Sequence, residues 1–148
     1  MEKVIQQIEV TLESLLKPLV NELNQIYKFG IPAESKKIVI WIPLGTRYNL
    51  NFTYMDDTAN EVGDSYPQLS SLDHKLENLL KEADTTDCNA LKKISYQTDD
   101  MVAAWLKKAL DKSDFANINL HKVMAINNVC AYFDLETLEL LDEDEMWI

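Results

Sequence analysis

One group of potential ligands is Asp56, Asp57, Glu61 and Asp64, four carboxylates within nine residues of a polar, turn-rich stretch that runs from Met55 to Gln68. Hard cations are bound by oxygens at such spacing, and calcium is the obvious occupant to test. An EF-hand loop beginning at Asp56 requires glycine at its sixth position and glutamate at its twelfth, where the chain has Glu61 and Pro67. A loop beginning at Asp57 fails in the same way. These acids therefore read as charges on a solvated surface loop, a segment of the kind that carries contacts more often than its share. A second run, Asp142, Glu143, Asp144 and Glu145, stands directly before Met146, Trp147 and Ile148. Four consecutive like charges favour solvent. Trp147 beside them either docks on the core or serves as an apolar anchor for a partner.

Other chemistry finds little support. His74 and His121 have no neighbours at metal-ligand spacing, and Cys88 and Cys130 stand 42 positions apart without a CxxC motif, so both histidines read as ordinary and both thiols as reduced and structural. No GxSxG elbow is present, and three scattered glycines cannot form a phosphate-cradling loop. Carboxylate acid–base catalysis needs only two acids that converge in a cleft, a condition on which the sequence is silent.

Charge is the compositional outlier. Twenty-five acidic and 14 basic side chains leave a net charge of −11. Residues 1–40 carry five lysines and five glutamates and are neutral; residues 41–100, with five basic and eleven acidic groups, carry −6, and residues 101–148, with four and nine, carry −5. Such a surface repels phosphate backbones and anionic membranes and steers cationic macromolecules, although it also serves solubility. The start of the chain is acidic and periodic, unlike a secretory signal, and no apolar run approaches the length of a membrane span, so a cytoplasmic protein is expected. With 148 residues, 47% of them hydrophobic, and no low-complexity tract, one globular domain over 1–148 is expected.

The elements that must position these residues are organised around residues 36–55. Ile38, Val39, Ile40, Trp41 and Ile42 form an unbroken apolar run that suits a strand covered on both faces. Tyr48, Leu50, Phe52 and Tyr54 then alternate with polar residues, which predicts a strand covered on one face. Pro43, Leu44, Gly45 and Thr46 between them supply a hairpin connection. Residues 3–29 carry Ile5, Ile8, Leu12, Leu15, Leu19, Leu23 and Ile26 at helical spacing, with a kink or break expected near Leu15 to Lys17 because of Pro18 and a stop at Gly30. Further amphipathic helices are predicted over 69–83 and, capped by Thr98, over 98–111. Residues 88–97 are read as a short helical turn followed by extended chain. Val123 to Ile126 and Val129 to Phe133 read as strands about an Asn127–Asn128 turn, with a single helix over 120–133 as the alternative, and residues 132–140 as a hairpin. The expected fold is α+β: an antiparallel sheet, built from the hairpin 37–55 and strands within 123–141, covered by a long N-terminal helix and two further helices.

Small size, acidity and missing catalytic motifs resemble, in composition alone, the bacterial antitoxins and immunity proteins. The expected function is that of an acidic protein-binding module, an inhibitor or immunity-type protein for a basic partner such as a toxin or nuclease. Asp56, Asp57, Glu61 and Asp64, then Asp142 to Glu145 and Trp147, are its contact residues. An enzyme or small-ligand binder with a carboxylate site, and a structural or adaptor protein, are the alternatives; a homodimer through the long helix is a further option. No catalytic residue, metal, cofactor or nucleic-acid partner is expected. Elemental analysis of the purified protein should accordingly find no stoichiometric metal, and nucleotides should leave its melting temperature unchanged; one equivalent of tightly held metal or a nucleotide-dependent shift would promote the enzyme reading.

Overall fold

In the computed structural model the described residues are 2–42, 50–58, 60–62, 68–69, 75, 88–126 and 131–141. Helix α1 spans Glu2–Lys28, strand β1 Lys37–Ile42, β2 Leu50–Met55, β3 Glu61–Val62 and β4 Gln68–Leu69. Helix α2 spans Cys88–Lys112 and is followed by a 3-10 turn at Asp114–Asn117, β5 at His121–Ile126, β6 at Ala131–Asp134 and β7 at Leu140–Leu141. The fold is α+β.

The sheet has the order β3-β2-β1-β5-β6-β7, with β4 pairing β2 beside β3. The hairpin is as expected: β1 and β2 are antiparallel, with Ile40 opposite Phe52 and Trp41 opposite Asn51. The purely antiparallel sheet is not. β1 and β5 run parallel, Lys37 aligned with His121 and Ile42 with Ile126, so the sheet is mixed. A parallel pair demands a crossover, and the chain between these strands includes α2. β5 and β6 pair antiparallel from Val123 opposite Asp134 to Ile126 opposite Ala131, which excludes the single helix over 120–133. Their Asn127–Asn128 connection, like the hairpin connection at Pro43 to Thr46, lies outside the described residues.

Helix α1 runs unbroken through Pro18. The proline withdraws the amide that would have bonded the Ser14 carbonyl. Both residues lie on the exposed side, where water can serve that carbonyl, and this explains why no break appears. The opposite side buries Ile8, Leu12, Leu15, Leu19, Leu23 and Ile26, each contributing roughly 1.5–3 kcal/mol relative to exposure. Gly30 ends the helix at φ +88°, a conformation that disfavours other residues.

Helix α2 replaces both the expected helix over 98–111 and the turn and extended chain before it. Thr98 is no cap. It is fully buried in mid-helix, and its hydroxyl donates to the Ile94 carbonyl at 2.6 Å. Because that internal bond satisfies the hydroxyl, Thr98 can join Ile94, Val102, Trp105, Leu106, Ala109 and Leu110 on one buried stripe. The helix expected over 69–83 lies outside the described residues except for Leu69, which belongs to β4, and Lys75, which is helical.

Both helices contribute to a core with one face of the sheet, presented by Ile38, Ile40, Ile42, Leu50, Phe52, Tyr54, Met124, Ile126 and Phe133. Phe115 from the 3-10 turn is its aromatic hub. Its ring meets Tyr27 edge-on at 5.3 Å and lies 5.5 Å from Phe52, which itself meets Tyr54 edge-on at 5.1 Å. Ser113 caps the turn by accepting the Phe115 amide at 3.1 Å, and Asn24 of α1 accepts the Asp114 amide at 2.8 Å. The other sheet face carries a smaller cluster of Val39, Met55, Val123 and Ala125, with Trp41 packed against it. Trp41 is thus only partly buried and sits opposite the main core, its indole N–H donating to Thr53 Oγ1 at 2.8 Å.

Phe115→Ala should cost about 3–5 kcal/mol of unfolding free energy, with a smaller loss for Phe115→Leu. Urea denaturation measures both; a loss under about 1 kcal/mol for the alanine variant would show that the site collapses around the deletion.

Candidate interaction site at one end of the sheet

The strand registers gather distant segments at one end of the sheet. Glu61 of β3 is level with Met55 of β2, Met55 with Lys37 of β1, and Lys37 with His121 of β5; two residues further along β5, Val123 faces Asp134 of β6. The loop after β2, the approach to β1 and the turn after β6 all leave the sheet at this end.

The loop after β2 is built on Asp56. Its Oδ1 accepts the Thr58 amide at 2.8 Å, the Thr58 hydroxyl at 2.8 Å and the Asn60 amide at 3.0 Å. The Asp56 amide in turn donates to the Asn60 carbonyl at 3.0 Å. The hydrogen bond from the Asn60 amide, followed by that from the Thr58 hydroxyl, holds the Asp56 carboxyl below its ordinary range despite opposing desolvation. Asp56 is therefore an organiser of the loop, with one oxygen already occupied. The neighbouring Asp57 and Glu61 are exposed. Asp64, Asp142, Glu143, Asp144, Glu145 and Trp147 lie outside the described residues, as do His74 and Cys130.

The turn after β6 repeats the device. Asp134 Oδ1 accepts the Glu136 amide at 2.8 Å and the Thr137 amide at 3.4 Å. Its backbone closes the corner, the amide donating to the Glu139 carbonyl at 2.9 Å and the carbonyl accepting from Leu138 at 2.7 Å. Leu138 takes a positive φ of 62° to complete it. Asp134 Oδ2 lies 3.1 Å from His121 Nε2. An ionised carboxylate only accepts, so Nε2 carries the hydrogen in this pair. Burial on its own raises the Asp134 pKa, but the Glu136 amide, the bond to His121 and the attraction of that ring together outweigh it, and the carboxyl sits below its ordinary value. Glu136 and Glu139 are exposed.

Glu34, on the approach to β1, adds another exposed carboxylate, with exposed Lys36 two residues on. Lys37 is buried in the sheet, and burial lowers its pKa. The result is an acidic rim of Glu61, Asp57, Glu34, Glu136 and Glu139. Neighbouring strands lie about 4.8 Å apart, so from β3 to β7 the rim spans roughly 24 Å. Of the expected contact residues, Asp56, Asp57 and Glu61 are brought together here. Glu34, Glu136 and Glu139 were not among them, and His121, read as solitary, is paired. The Asp134 to Thr137 corner was visible as a turn, but nothing local indicates that it comes to the same end of the sheet as Asp57.

Comparison with known protein families, with curated proteins and with solved structures finds no match. The chemistry must be read from the site itself. Among the described residues no three His, Cys, Asp or Glu side chains converge to hold a metal, and no helix is long and apolar enough to cross a membrane.

Asp134→Asn isolates the second turn. Because the folded carboxyl is the stronger acid, its contribution to stability is fully present above the unfolded value of about 3.9 and fades as pH falls through the lower folded value. Wild type should exceed the variant by about 1 kcal/mol near neutrality, and the gap should begin to narrow below about pH 3.9 and close only below the folded carboxyl's lower value. Denaturant melts across pH 2.5–7 would overturn this assignment if the gap were unchanged at the acid end.

Proposed function

We propose that the protein is a binding module that engages a basic macromolecular partner through the acidic rim, acting as an inhibitor or immunity-type protein. The observation that carries this reading is the placement of exposed Asp57 and Glu61, in and just after one turn, and exposed Glu136 and Glu139, in and just after another, at the same end of one sheet. Each turn is fixed by an aspartate that spends its own oxygen on backbone amides. The outward charges are therefore mounted on ordered supports, and a net charge of −11 adds a long-range field of the same sign. Asp56 belongs to this reading as a support for the loop, with Asp57 and Glu61 as the contacts. Asp64, Asp142 to Glu145 and Trp147 extend the proposed contact set by sequence.

The test begins with capture from native lysate at low and high salt, followed by binding kinetics on the captured protein. Replacing Asp57 and Glu61 by Lys, and separately Glu136 and Glu139, should each slow association about tenfold at low salt and flatten its salt dependence, with little change in dissociation, because rim charges act mainly on encounter. Asp56 is left intact so that the loop keeps its form. An acidic partner, or association unchanged by both pairs of reversals, would sink the reading.

A further inference from the structure

We draw no further inference here: the strongest candidate, the outer edge of β7 where Leu140 is largely exposed beside the positive-φ residue Leu138, is a strand of only two residues, and nothing in the structure shows what covers it.

Discussion

Burial of β1 on both faces is the constraint on which the rest of the structure depends. Ile38, Val39 and Ile40 are each wholly inaccessible, although their side chains point alternately to the two sides of the sheet. A strand in that position has no solvated face and needs a neighbour along each edge to satisfy its backbone. β2 supplies one edge through the short hairpin and β5 supplies the other by parallel pairing. The side of Ile38, Ile40 and Ile42 then needs an apolar cover, which α1 and α2 provide through their long stripes. Phe115 sits where these layers meet, close enough to Tyr27 on a helix and Phe52 on a strand to lock them together. A slip of one residue in β1 would turn Lys37 and Trp41 toward that aromatic core, so the register is specified strongly.

The same constraint explains what could be read in the sequence and what could not. The α1 stripe, the β1 run and the alternation of β2 are local patterns, and each appears where the spacing places it. Parallel pairing is a different kind of property. An unbroken run such as Ile38 to Ile42 is compatible with a parallel neighbour, but Val123 to Ile126 carries no mark of its direction, and the choice is made by the crossover between them. Thr98 shows a second limit. With Asp99 and Asp100 after it, it has every local feature of an N-cap, yet burial of the stripe from Ile94 to Leu110 prevails over that signal because the hydroxyl finds an acceptor within the helix. Pro18 shows the converse: a strong breaker tolerated because it faces water.

The candidate site was legible only as fragments. Asp56, Asp57 and Glu61 form a visible acidic cluster, but their division of labour depends on geometry, since only the hydrogen bonds of Asp56 identify it as the one turned inward on the loop. Asp134 holds the same office in its own turn, and its bond to His121 links β5 to β6 through side chains as well as backbone. Glu136 and Glu139 come to the same end of the sheet as the first loop only through the succession of β2, β1, β5 and β6. A charged rim assembled across several strands leaves no signature at short sequence separation.

The dimensions of the rim bear on what it can hold. Its ends are roughly 24 Å apart, about three times the screening length of ~8 Å at physiological ionic strength. A small cation at one point would feel one or two carboxylates at most, with the rest screened. Asp56, at the base of the first loop, already has Oδ1 committed to three donors, so it offers little to a metal that requires six or more oxygens. A ligand that gains from every charge along the rim must itself be extended, with positive groups distributed over a comparable distance. That geometry favours the basic surface of a macromolecule over a chelated ion. For a basic partner of that kind it would set the form of the energetics: separate, solvent-screened contacts that accelerate encounter, with residence determined by apolar contact made beside them.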